Sequence, residues 1–183
     1  NINKVYFKIV KVDWDFNFKD RYETLERLNK LTPVRTWEVA LENQQDYQEH
    51  YSHLNTEGLP YGKYYILSGT HKDFIDKEEA VAYTSFWVTG ISFSSIRNGH
   101  DETELFVVDS ETGKALPNVI VQQYTYDYGR NKRSLKKRNQ YKTNASGKVK
   151  VAPHKTNRYS NSYYYYFRDG KDEYFTDNSI YQY

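Results

Sequence analysis

Cysteine and methionine are both absent from this sequence of 183 residues. Without cysteine the chain cannot form a disulfide, a thiolate zinc site or a cysteine nucleophile, although this absence leaves its redox compartment open. No apolar run approaches the roughly 20 residues that a membrane-spanning helix requires. The chain begins at Asn1 with neither an initiating methionine nor a signal-like apolar stretch, which indicates an excised fragment. A missing signal peptide is then uninformative about secretion.

An excess of one charge sign is also absent. The chain has 26 basic and 24 acidic residues and a formal net charge of +2. Charges this evenly balanced produce no long-range field that would recruit a nucleic acid or an acidic membrane. We therefore expect no nucleic-acid partner and no membrane span in this chain.

Aromatic residues are abundant: they make up 17% of the chain, and tyrosine alone occurs 20 times. This composition favours strands with one half-exposed face, because a tyrosine ring can be buried while its hydroxyl stays in water. Alternating apolar and polar residues, as in Val5–Trp14, agree with an all-β protein. Asp20–Leu31 differs, since its leucines recur every three residues between a candidate N-cap, Asp20, and Pro33. This segment predicts a short helix.

Leu105–Tyr126 contains two β-rich runs that flank a polar turn with Gly113, which predicts a β-arch. Upstream, the composition turns polar over Ser94–Thr103, and we place a domain boundary near Ile96. The predicted domains are therefore residues 1–96 and 97–183. Two further turns, Asn144–Gly147 and Arg168–Lys171, each lie between β-rich runs and predict hairpins.

Four short stretches resemble segments of the bacterial alpha-2-macroglobulins, in the order and spacing of that family. They are Leu59–Leu67 (similar to Leu-Pro-x-Gly-x-Tyr), Phe86–Ser92 (a closing strand), Val108–Val119 (a domain opening with Thr-Gly-Lys) and Phe175–Tyr181 (similar to Phe-Thr-Asp-Arg-x-Ile-Tyr). The last stretch departs from the pattern, because Asn178 and Gln182 stand where arginines are usual and Tyr183 where proline is usual.

The resemblance implies two tandem antiparallel β-sandwich domains of the macroglobulin or immunoglobulin-like type, with the short helix inserted in the first. It implies a non-catalytic scaffold fragment of a protease-trapping inhibitor in the bacterial periplasm or cell envelope. Its partners would be neighbouring macroglobulin domains of the same full-length chain, and proteases would be targets of the whole protein. The reactive Cys-x-x-Gln thioester of many members cannot form here, because the chain has no cysteine.

Enzyme chemistry finds little support in the sequence. His50 and His53 lie three residues apart with Glu49 and Glu57 nearby, a ligand set that zinc accepts. However, no His-Glu-x-x-His or Gly-x-Ser-x-Gly motif occurs, and exposed side chains on a polar connection explain the histidines as well. We expect no catalytic activity, no metal and no cofactor.

Two segments are candidates for contact with a partner. The first is a basic run predicted to form a solvated hairpin loop, with partner contact as the alternative: Arg130, Lys132, Arg133, Lys136, Lys137 and Arg138. The second is Tyr163–Tyr166, interpreted as a strand with one packed and one wet face, or as a stacking platform for a sugar or peptide through Tyr164 and Tyr165. These segments motivate an alternative function, a surface adhesion or glycan-binding module.

Overall fold

A computed structural model describes residues 2–16, 20–41, 51, 53, 57–75, 81–98, 102–128, 133–152, 162–176 and 178–181. In these ranges the secondary structure is one helix, α1 (Arg21–Lys30), and the following strands: β1 (Lys4–Val12), β2 (Pro33–Ala40), β3 (Gly62–Gly69), β4 (Ala82–Val88), β5 (Ile91–Asn98), β6 (Glu102–Asp109), β7 (Ile120–Tyr128), β8 (Arg133–Lys142), β9 (Lys148–Val151), β10 (Ser162–Asp169), β11 (Asp172–Phe175) and β12 (Ile180–Tyr181). The described strand pairs are antiparallel. The predicted all-β fold class with one short helix is confirmed.

The chain divides into two compact units, Asn1–Val88 and Thr89–Tyr183. In the first unit the described strands form one sheet in the order β2-β1-β3-β4. Helix α1 covers one face of this sheet, where alternate residues such as Val10, Val12 and Leu67 pack against Leu25 and Leu28 of the helix. The core of the first unit is therefore a layer between sheet and helix.

The helix begins and ends where its sequence predicts. The Asp20 carboxylate accepts hydrogen bonds from the backbone N–H groups of Tyr22, at 2.6 Å, and Glu23, at 3.4 Å. This bonding satisfies two of the donors that the first turn of a helix leaves free. Leu31 is the C-cap, so the predicted helix within Asp20–Leu31 is confirmed.

The second unit is a sandwich of two sheets. One sheet has the order β11-β10-β7-β8, with β12 paired to β10, and the other has the order β5-β6-β9. A single cluster of buried side chains draws on both sheets: Ile91, Leu105, Val107, Val119, Val121, Val151, Tyr163, Tyr165 and Phe167. Because β6 and β7 belong to different sheets, the chain between them crosses the sandwich, and the predicted β-arch is confirmed.

The two predicted hairpins have different outcomes. Strands β10 and β11 pair antiparallel around Gly170, as predicted. The hairpin predicted around Asn144–Gly147 is wrong, because β9 pairs with β6 while β8 pairs with β7. The turn itself forms, with Gly147 N–H donating to the Asn144 carbonyl at 3.0 Å. The turn residues reverse the chain, and the following strand, with its buried Val151, pairs in the other sheet.

The division between the units lies upstream of the position expected from composition. Ile91–Asn98 pairs over its whole length with Glu102–Asp109, so these residues form a strand of the second unit. Ile91 is also buried in the core of that unit. The polar residues around Ile96 are thus the exposed half of a strand, and the crossing between units lies close to Gly90.

Candidate functional site

The basic run expected to be a hairpin loop is largely a strand. Arg130 and Lys132 lie outside the described residues, whereas Arg133, Lys136, Lys137 and Arg138 belong to β8, which pairs with β7. The loop expectation is therefore wrong for these four residues. Lysine and arginine have weak strand preferences, so the sequence of this run predicts a loop. In the structure, pairing with β7 holds the run in a strand.

Among the described strands, β8 forms one edge of its sheet. Lys136, Lys137 and Lys142 are exposed, and none of them forms an ion pair with a described residue. Arg138 differs, since its Nε donates to the Thr125 hydroxyl oxygen at 2.9 Å and its side chain is half-buried. The strand therefore presents exposed lysines along this edge, while the Arg138 side chain lies against β7.

A β-bulge interrupts β8 at Arg138 and Asn139. Tyr124 pairs with Lys137 and Gln122 with Gln140, so β8 has one more residue than β7 in this interval. The buried amide of Gln122 fills the irregularity, because its Nε2 donates to the carbonyls of Arg138, at 2.8 Å, and Asn139, at 2.9 Å. These bonds replace ladder bonds that the bulge breaks.

The two candidate tyrosines lie on opposite faces of β10. Tyr164 is half-buried, whereas Tyr165 is fully buried in the sandwich core. Tyr165 therefore cannot contact a partner from this position, which corrects the expectation for that residue. The reason is the two-residue period of a strand, which places neighbouring side chains on opposite faces. Burial raises the pKa of the Tyr165 hydroxyl well above its ordinary value.

Tyr164 belongs to a cluster of aromatic rings on the outer face of the same sheet. Its ring is edge-on to Tyr126, with centroids 4.9 Å apart, and parallel to Phe175, with centroids 6.0 Å apart. On that face Tyr166 donates to a Glu173 carboxylate oxygen, and burial together with this contact raises the pKa of the Tyr166 hydroxyl. The exposed face thus holds packed aromatic rings.

Asp172 is a structural residue that the sequence analysis missed. It is 7% exposed, and its carboxylate accepts from the Thr89 hydroxyl at 2.8 Å and from the Gly90 N–H at 2.7 Å. The Thr89 hydroxyl oxygen in turn accepts from the Ile91 N–H at 3.0 Å. This contact joins the turn between β10 and β11 to the first residues of the second unit. Its partners are more than 80 positions apart, at separations of 83 and 82, so no local signal could reveal it.

Metal-binding geometry does not assemble in the described part of the chain. No group of three or more histidine, aspartate and glutamate side chains there could hold a metal ion. Of the four candidate ligands, Glu49 and His50 lie outside the described residues, and His53 and Glu57 are exposed. Within the described ranges, α1 is neither long nor apolar enough to cross a bilayer.

Comparison with known proteins finds similarity of structure. No family model matches the sequence, and no curated protein matches it. Crystal structures of native alpha-2-macroglobulin from Escherichia coli do match: a fragment spanning domains NIE-MG1 has a TM-score of 0.61 at 16% identity, over 97% of this chain and 84% of the fragment. A longer fragment spanning MG0-NIE-MG1 matches with the same score and identity over 97% of this chain and 55% of its own length. At this identity the likeness establishes a shared fold, which here extends over both units.

Proposed function

We propose that this chain is a non-catalytic scaffold section of an alpha-2-macroglobulin-like protein. The observation that carries the proposal is the length of the structural match, which takes in 97% of this chain and 84% of a two-domain fragment. The four sequence stretches that resemble the bacterial family support it independently, since they fall in both units. The first unit would correspond to the domain named NIE and the second to MG1.

In this proposal the chain has a mechanical role in a larger molecule. The whole protein would trap proteases in the bacterial periplasm or envelope, and a protease would cleave an exposed segment located elsewhere in it. The two units would be packed among further macroglobulin domains and would help to carry the rearrangement that follows. Each unit has its own buried core, which suits a role as a rigid body.

The proposal can be tested with the full-length protein from which this chain derives. After incubation with a protease such as trypsin, the protein should block cleavage of a large substrate such as casein, while a small chromogenic peptide is still cleaved. A trapped protease is shielded from large substrates but keeps its active site. The 183-residue chain alone should leave cleavage of both substrates unchanged. Equal loss of activity on both substrates, or no loss on casein, would contradict the proposal.

The alternative of a glycan-binding module rests on the tyrosines of β10. Tyr165 is buried in the core, and the Tyr164 ring packs against Tyr126 and Phe175. A glycan would therefore have to bind to the cluster of aromatic rings on the outer face of the sheet, formed by Tyr126, Tyr164 and Phe175. Micromolar binding on a glycan array that Tyr164→Ala abolishes would favour this alternative over the scaffold role.

A further inference from the structure

We propose that the outer edge of β8 over Arg133–Lys137, here named the basic edge, binds an extended acidic segment of another polypeptide as an added β-strand. This inference is independent of the protease-trapping role. It starts from the ladder with β7, which is regular over these five residues, from Tyr128 opposite Arg133 to Tyr124 opposite Lys137. Five residues in regular pairing match a common strand length in proteins.

The backbone of the basic edge is available in the described structure. Strand β8 is the last in its sheet, and no described strand pairs with its far side. In an antiparallel ladder, alternate residues of an edge strand direct their N–H and C=O groups away from the partner. Such a row of unpaired groups is a template for strand addition.

The side chains define the chemistry of the added strand. Lys136 lies opposite Thr125, a buried residue, whereas Lys137 lies opposite the half-buried Tyr124 on the other face. The two lysines therefore flank the edge from opposite faces, and both are exposed with no ion pair to a described residue. Neighbouring residues of an added strand would also point to opposite faces. A segment with two consecutive acidic residues would place one carboxylate near each lysine.

The charge of β8 also favours an acidic polypeptide over other binding partners of the basic edge. The β8 sequence contains five basic residues and no acidic residue: Arg133, Lys136, Lys137, Arg138 and Lys142. Pairing of this edge with the same edge of a second copy would bring like charges together. Charged side chains on edge strands are a known means by which proteins prevent such aggregation. A polysaccharide or nucleic acid would use the charges but not the backbone groups. An acidic polypeptide uses both.

The proposal can be tested by NMR titration of the ¹⁵N-labelled 183-residue chain with the capped peptide Thr-Val-Thr-Glu-Glu-Thr-Val-Thr. We expect amide shifts and new protection from hydrogen exchange within residues 133–137. A second peptide, Thr-Val-Pro-Glu-Glu-Pro-Val-Thr, keeps the charge but cannot maintain a ladder, because proline lacks the N–H group. It should bind about tenfold more weakly if backbone pairing contributes.

A matched pair of protein variants tests the role of the lysines. Lys136→Glu/Lys137→Glu should weaken binding of the Glu-Glu peptide by at least about tenfold at low salt. Lys114→Glu/Lys171→Glu changes the net charge equally at two exposed turn positions of the same unit, and it should leave binding within about twofold. Equal weakening by both variants would overturn the proposal, because the effect would then reflect net charge alone.

Three further outcomes would also overturn it. The first is equal binding of the proline-containing peptide. The second is protection of residues 133–137 by a sulfated polysaccharide but not by the Glu-Glu peptide. The third is concentration-dependent self-association in sedimentation equilibrium, with protection of the basic edge in the absence of any peptide.

Discussion

The Asp172 carboxylate shows how one buried charge can fix a chain at the start of a domain. Both of its oxygens are occupied, one by the Thr89 hydroxyl and one by the Gly90 N–H. Hydrogen bonds to a buried charged acceptor are among the stronger ones in proteins, and removing the acceptor leaves buried donors unsatisfied. The residue therefore contributes to stability through the neighbours that it holds in place.

Replacing Asp172 with alanine should lower the free energy of unfolding of the second unit by about 1.5–3 kcal/mol. Asp172→Asn should lose less, because its amide oxygen still accepts one hydrogen bond. Urea unfolding followed through NMR signals of core valines such as Val107 would measure the change. Asp169→Asn, at the exposed first position of the same turn, is the control and should have little effect. A loss as large at position 169 would contradict the role assigned to Asp172.

Tyr165 makes the stability of the second unit fall with increasing pH in the alkaline range. Burial raises its hydroxyl pKa above the ordinary value of 10.0. Above pH 10 the Tyr165 hydroxyl loses its proton in the unfolded chain but retains it in the folded chain. The contribution of Tyr165 to the free energy of unfolding is therefore fully present below pH 10 and falls as the pH rises above 10. Tyr165→Phe should reduce this fall by about 1.4 kcal/mol per pH unit.

The measurement is a set of urea unfolding curves between about pH 9 and pH 12, a range that brackets the ordinary tyrosine pKa. Tyr166→Phe is a useful companion, because burial also raises the pKa of the Tyr166 hydroxyl. Each single replacement should remove part of the slope, and the double replacement should remove more. An unchanged slope in Tyr165→Phe would show that the buried hydroxyl does not retain its proton.

Among the strands, the bulge in β8 depends on a side chain from β7. Gln122→Ala would remove the donor to the Arg138 and Asn139 carbonyls and leave them unsatisfied in a partly buried site. We expect a loss of about 1–3 kcal/mol in the unfolding free energy of the second unit. The control is Gln140→Ala, because Gln140 is the exposed cross-strand neighbour of Gln122. Hydrogen exchange should accelerate along β8 in the first variant alone, and equal acceleration in both would contradict the assignment.

The helix and β8 show which elements can be predicted from sequence. Helix α1 was predictable because its signals are local, namely the Asp20 cap and the spacing of the buried leucines Leu25 and Leu28. Strand β8 was not, because its lysines and arginines have weak strand preferences and favour a loop, although the strand that pairs with it, β7, directly precedes it in the chain. The alternation in β10 predicted one packed face but left open which of Tyr164 and Tyr165 was buried. In the structure Tyr165 pairs with the fully buried Gln123 of β7, which places Tyr165 on the core face.

At the scale of the whole molecule, each unit has a separate core. The buried clusters draw their residues from one unit each, with Val10 and Leu28 in the first and Leu105 and Val121 in the second. A domain with its own core can fold alone, and its boundary lies where few contacts cross. We therefore propose Val88/Thr89 as the boundary, in place of the position near Ile96 suggested by composition.

Two shortened chains can distinguish these boundaries. Residues 89–183 retain all of β5, including the buried Ile91 and the ring of Phe93, which packs 4.9 Å from that of Phe167. Residues 97–183 lack both side chains and most of the strand paired to β6. Loss of two such apolar groups costs about 2–5 kcal/mol each, which is comparable to the total stability of a small domain. The longer chain should therefore give a dispersed NMR spectrum and cooperative melting, and the shorter one should not. Cooperative folding of residues 97–183 would restore the boundary near Ile96.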